Sequence, residues 1–189
     1  MKYLDYFSSN CSLNFSNLIR YYPVDSETHR MNRLHVMQIT IIEERPDAPD
    51  ALKLLSELDE ALWLHPYPPQ SRHAFTVEKL LREGVSFFVA RIGAAAAACG
   101  GVKIFGSDYG EVKRMYVRPD YRGRGLGKAV LNHLAAYARR QQVNVLRLET
   151  GIYQVEAIGL YESWGFTRRP PFGEYQVDPL SVYFEKRLE

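Results

Sequence analysis

The stretch that most restricts this chain is residues 117–128, VRPDYRGRGLGK. Residues 112–117 lead into it as a strand-like run, and residues 126–141 lead out of it with apolar positions at helical spacing. Between them Gly123, Gly125 and Gly127 fall within five positions, with Arg118, Arg122, Arg124 and Lys128 around them. Glycine lets backbone N–H groups approach a ligand with no Cβ in the way. A helix starting at Leu126 aims its free N–H groups and the positive end of its dipole into this turn. Strand, glycine turn, helix start and basic side chains together predict an anion site suited to a diphosphate. Two common diphosphate loops do not fit. The P-loop spacing is one residue short, with Ala129 where a magnesium-binding hydroxyl belongs, and the dinucleotide fingerprint needs a longer last interval than Gly125 to Gly127.

The rest of the chain reads as one domain. Its 189 residues, 46 % apolar and 24 % charged, suffice for a full core and have the balance of a soluble protein. A net charge of +2 is too small to argue for nucleic acid, and no such partner is expected. Cys11 and Cys99 have no metal-ligand or redox spacing, so no metal is expected; Cys99, in an apolar run, reads as a buried small hydrophobe. The alanines of 94–98 are far too few for a membrane span. No basic stretch followed by an apolar one opens the chain, so a cytoplasmic protein with no membrane partner is expected. Residues 1–36 are rich in Ser, Asn and Tyr and lack sustained periodicity. The domain is therefore expected over 37–189. The first segment reads as a disordered tail or the product of an upstream start of translation, the alternative being a functional arm or a lid on a partner subunit.

Periodicity and turn residues predict strands at 38–45, 85–91, 95–105, 109–117, 145–150, 166–169 and 181–188. Helices are predicted from Asp50 as a cap, with Leu55, Leu58 and Leu62 on one face, and at 76–83, 126–141 and 154–164. In the third helix Leu126, Val130, Leu134 and Tyr137 share a face, with His133 beside it as a packed or surface residue. Gly165 is placed to stop the last helix in the left-handed cap position. The prolines of 65–73 exclude helix there.

Arg122, Gly125 and Gly127 meet the pattern Arg/Gln-x-x-Gly-x-Gly/Ala, and residues 157–166, AIGLYESWGF, resemble a second segment, A-x-x-L-Y-x-x-x-G-F. Both resemble the GCN5-related N-acetyltransferase (GNAT) family, over roughly residues 38–188. The resemblance implies an α/β acyl-CoA N-acyltransferase fold in a single domain, with a central mixed, mostly antiparallel sheet and helices on both faces. It implies acetyl-CoA as co-substrate, held by the backbone of Met115, Tyr116 and Val117 and by Arg122, Gly123, Arg124, Gly125, Leu126, Gly127 and Lys128. It implies Tyr161 as general acid toward the departing thiolate, a role that suits a phenol. Relatives often carry Asn seven residues before that tyrosine; here Gln154 stands in its place as a pantetheine contact.

The acceptor amine must lose a proton near neutral pH, so a base is needed. Glu111 matches the position of the glutamate base in the histone-modifying branch, and Glu149, on the next strand, is the second candidate. Pro68-Pro69-x-Ser71-x-His73-Ala74, residues 148–151 and Asp178-Pro179-x-Ser181-Val182 also resemble a bacterial subgroup of uncharacterised small acetyltransferases. Tyr67, Phe75, Phe172 and Tyr175 are expected to wall the acceptor pocket, while Arg72, His73 and Arg169 either bind a substrate carboxylate or face water. The expected reaction is acetyl transfer to a small-molecule amine by direct attack in a ternary complex. A protein or peptide acceptor, or a non-catalytic acyl-CoA sensor, are the alternatives. Monomer and homodimer both stay open.

Overall fold

Every predicted run of apolar periodicity becomes a strand or a helix in the computed structural model, which describes residues 38–68 and 75–189. The order is β1 (Ile39–Glu43), α1 (Pro49–Trp63), α2 (Val77–Arg82), β2 (Ser86–Ile92), β3 (Ala95–Phe105), β4 (Tyr109–Val117), α3 (Leu126–Arg140), β5 (Val145–Gly151), α4 (Val155–Trp164), β6 (Thr167–Arg169) and β7 (Ser181–Arg187). Residues 39–189 form one compact unit. The segment expected as a tail or arm, and the loop positions Ser71, Arg72 and His73, lie outside the described residues.

Caps explain most helix limits. Thr76 accepts the Lys79 amide and starts α2, and Gly165 at φ 96° ends α4 as expected. Asp50 is not the cap of α1. Ala48 holds that place, with Pro49 as the first helical residue, and Asp50 instead pairs with Arg91 of β2 at 2.5 Å.

The strands form one sheet in the order β1-β2-β3-β4-β5-β7-β6. All pairs are antiparallel except β4 with β5. Helices cover both faces. The side chains of α3 pack Leu126, Val130, Leu131 and Leu134 against Phe88, Val102, Val112 and Leu146, with Tyr161 of α4 in the same cluster. On the opposite face α1 and α2 bring Leu54, Leu55, Leu58 and Leu80 against Phe87, Val89 and Cys99. The stripe on α3 is wider than four residues, because Leu131, Ala135 and Ala138 are buried too. His133 packs its ring 4.7 Å from Phe88, and burial lowers its pKa.

Small residues in β3 let α3 approach closely. A Cβ on Gly100 would lie 2.5 Å from Met115 Sδ and 2.8 Å from Val130 Cγ1. Opposite Gly100 the register of β4 jumps: Cys99 faces Tyr116 while Gly101 faces Lys113. Two residues of β4, Arg114 and Met115, therefore stand against one, and Arg114 takes φ 55°. Such a bulge bends its strand and increases the local twist. Arg114 is held there by Asp59 at 2.7 Å and the Leu55 carbonyl at 3.2 Å, both on α1.

Candidate active site

The bulge falls where β4 parts from β5. These strands pair only at Gly110 with Leu146 and Glu111 with Arg147. From Val112 to Val117 the β5 side of β4 has no strand partner among the described residues, although Met115, Tyr116 and Val117 lie in β4. The backbone of those three residues thus borders an open slot in the sheet, an edge that an extended ligand can join. Their side chains point to other duties: Met115 and Val117 pack on the core under α3 and Tyr116 is buried against α1, while the Val117 carbonyl accepts a bond from Arg122 Nε at 3.2 Å.

At the far end of the slot Gly125, at φ 80°, immediately precedes α3, and no side chain caps that helix. Gly123 is also left-handed, at φ 72°. Leu126 is a core side chain, so only its amide can face a ligand. A Cβ on Gly127 would meet Leu160 Cδ2 at 2.8 Å, which keeps α3 and α4 close. Arg122, Arg124 and Lys128 are exposed around this turn. Arg118 is spent elsewhere, bound bidentately by Glu57 of α1 at 2.7 and 2.8 Å. An uncapped helix start ringed by exposed cations suits an anionic group.

At the near end lies a cavity of about 1020 Å³ lined by β3, β4, α2 and the 170–180 loop. Glu111 is on its floor and only 4 % exposed. Lys113 Nζ lies 2.5 Å from Glu111 Oε1 and donates to the Tyr175 hydroxyl at 2.8 Å, while that hydroxyl donates to Glu111 Oε1 at 2.8 Å. Burial drives the Tyr175 hydroxyl far above its ordinary range, with Glu111 next in effect. Burial pulls Lys113 down, and Glu111 opposes that shift. Phe75, Phe172 and Tyr175 wall the cavity as expected, together with Phe105 and Tyr109. Tyr67 is absent from that wall. Its hydroxyl instead accepts the Tyr153 amide at 3.0 Å and sits where a Cβ on Gly151 would be. Arg169 pairs with Glu185 and covers the Phe172 ring at 5.5 Å.

Glu149 accepts a 2.6 Å bond from Ser181 Oγ on β7 and stands on the same sheet face as Arg147 and Glu111. Its charge reaches across the opening. After burial it is the second influence raising the Tyr161 hydroxyl, and it also acts on Tyr67, Tyr175 and Lys113. Tyr161 is 6 % exposed, packed edge-on to Phe166, and its hydroxyl has no hydrogen-bond partner among the described residues. Gln154 is the cap before α4, and its buried Nε2 makes no hydrogen bond of normal geometry, although it lies near enough to the Tyr67 hydroxyl to lower that group's pKa. A buried amide with an N–H to spare can donate to a polar ligand group.

Sequence reasoning missed Lys113, although its spacing of two from Glu111 on a strand would place both on one face. It also missed the bulge at Arg114, for which nothing local in the sequence calls. Among the described residues no cluster of three or more His, Cys, Asp or Glu could hold a metal ion, and no helix is long and apolar enough to cross a membrane.

With this geometry in view, the chain matches the Acetyltransferase (GNAT) family over residues 50–166. It is 40 % identical over 151 residues to a protein named IAA acetyltransferase from Azospirillum brasilense, covering 79 % of this chain and 98 % of that one. A solved Klebsiella pneumoniae protein described as an acyl-CoA N-acyltransferase shares 36 % identity at a TM-score of 0.66, covering 81 % of this chain and 99 % of that one. A PaiA N-acetyltransferase from Thermoplasma acidophilum, solved in complex with coenzyme A, has the same fold at 19 % identity and a TM-score of 0.65, covering 80 % of this chain and 99 % of that one.

Proposed function

The chain belongs to the GNAT family of acetyltransferases and is an acetyl-CoA-dependent acyltransferase, and from that premise we propose that it acetylates the amine of a small molecule by direct attack in a ternary complex. The observation that carries this reading is the unpartnered edge of β4, which runs from the glycine turn to the buried Glu111. Six steps along the strand, one of them absorbed by the bulge, carry the chain from Glu111 to Val117, roughly 17 Å at a strand rise of ~3.3 Å per residue. The slot thus spaces an anion-binding end from a titratable end, as a thioester on a long diphosphate carrier requires.

Each residue then has a defined task. The amides at the start of α3, with Arg122, Arg124 and Lys128, hold the diphosphate, and Gly123, Gly125 and Gly127 give it access to the backbone. The backbone of Met115, Tyr116 and Val117 aligns the pantetheine arm, and Gln154 Nε2 donates to it. Bound acetyl-CoA supplies the thioester: the amine nitrogen bonds to its carbonyl carbon, and the carbon–sulfur bond breaks with the electron pair on sulfur. Glu111 takes the proton that the amine loses, through its second oxygen or one water. Tyr161 gives the sulfur its proton or a hydrogen bond, and burial keeps that phenol protonated until then. The cavity's aromatic walls favour a small acceptor with an apolar part over an extended peptide. The name of the A. brasilense relative, IAA acetyltransferase, also states no protein acceptor.

Thiol release from acetyl-CoA across a panel of small amines and peptides tests the proposal. Release with small amines supports it. Release with peptides alone would make the protein a peptide acetyltransferase, and coenzyme binding with no release at all would make it an acyl-CoA sensor.

A further inference from the structure

Three lysines, three glutamates and Asp178 line the cavity, and the way the lysines pair leaves one donor and one acceptor unmatched at its floor. Lys103 and Lys79 share Glu83, at 2.8 and 3.8 Å. Lys113 is left with Glu111. An ammonium has three donors. Lys113 uses one on Glu111 and one on Tyr175, and its third has no partner among the described residues. Both contacts that Glu111 accepts fall on Oε1, so Oε2 is unpaired among the described residues. The cavity floor therefore presents one spare donor and one spare acceptor side by side, both 11 % exposed or less. Lys113 also lies 4.5 Å from the Phe75 ring centre, so cation and aromatic wall meet at this point.

Resting on the acetyltransferase reading above, we propose that the acceptor is an α-amino acid with a large apolar side chain, its ammonium on Glu111 Oε2 and its carboxylate on the third donor of Lys113. A zwitterion carries its two charges about as close together as this pair carries its own, in opposite sense. Each charge of the acceptor then meets its opposite where water is scarce, the condition under which a paired charge is tolerated and a lone one is not. The side chain lies against Phe75, Phe172 and Tyr175. Burial, and after it the Lys79 charge, disfavours the Lys113 ammonium, and an arriving carboxylate offsets that. A plain amine would meet Glu111 but leave Lys113 as it is, and gain nothing from it.

The test compares matched acceptors on the intact protein: L-phenylalanine, L-phenylalaninamide, phenethylamine and glycine, each with acetyl-CoA. The expected result is a kcat/KM for phenylalanine at least tenfold above phenethylamine, the amide and glycine. In Lys113→Met, which keeps the stem against Phe75, the ratio of phenylalanine to phenethylamine should fall toward one. Phenethylamine or the amide matching phenylalanine in the wild-type protein overturns the zwitterion and leaves acetyl transfer standing. Glycine matching phenylalanine overturns the apolar side-chain site. No thiol release with any of the four overturns this acceptor class, and release with other small amines in the wider panel would then leave acetyl transfer standing. The wild-type comparison decides the matter even where the Met variant fails to fold.

Discussion

Tyr161 and Glu111 carry the chemistry, and each admits a test at the level of one atom. Tyr161→Phe keeps the ring that packs on Phe166 and Phe184 and removes only the hydroxyl. Turnover should fall roughly 10- to 100-fold, the low end of general acid catalysis, because a thiol leaves fairly readily. Acetyl-CoA affinity should stay as it is, since the interaction matters only as sulfur gains charge. Burial, and then the Glu149 charge, hold this phenol above its ordinary pKa of about 10, so the loss should be the same at pH 6 and pH 9. Wild-type turnover in the Phe variant removes the role. Glu111→Gln keeps the shape of the hydrogen bonds to Lys113 and Tyr175 but not the charge, and should lower kcat/KM about 100-fold or more. A larger loss in Glu149→Gln than in Glu111→Gln would move the base to β5.

Among the elements, the turn before α3 and the gap between β4 and β5 are decisive. Gly125→Asp puts a side chain and a negative charge where the diphosphate is proposed to sit. The residue must also hold φ 80°, which costs about 1 kcal/mol for most side chains and less for Asp. Calorimetry should therefore show no measurable acetyl-CoA binding while the fold survives; unchanged affinity would detach this turn from the coenzyme. Close approach also matters at Gly151, the last residue of β5, where Tyr67 occupies the space a Cβ needs. Gly151→Ala should displace Tyr67 from the Tyr153 amide and destabilise the protein by about 1–3 kcal/mol, readable in urea unfolding. A variant as stable as wild type would mean that the 65–68 segment yields freely.

On the scale of the whole molecule, residues 39–189 hold the sheet, its helices and every proposed site residue. A chain beginning at Met37 should therefore melt within about 3 °C of the full chain, the shift that ~1 kcal/mol produces in a domain of this size, and bind acetyl-CoA equally. A larger drop would tie residues 1–36 to the fold. The order of strands and helices, the helix stops and the glycine turn were legible beforehand, because alternation, helical spacing and turn chemistry act over a few neighbouring residues. So was the place of Tyr161 between Leu160 and Gly165, since it lies in one short segment. What the sequence did not disclose depends on residues far apart in the chain. Tyr175 reaches Glu111 across 64 positions, and Tyr67 reaches Tyr153 across 86. The bulge at Arg114 exists because α1 supplies Asp59 and Leu55 to hold it. Local rules determined which segments are strands; only the packing of those strands decided which edge stays open, and which charges meet beside it.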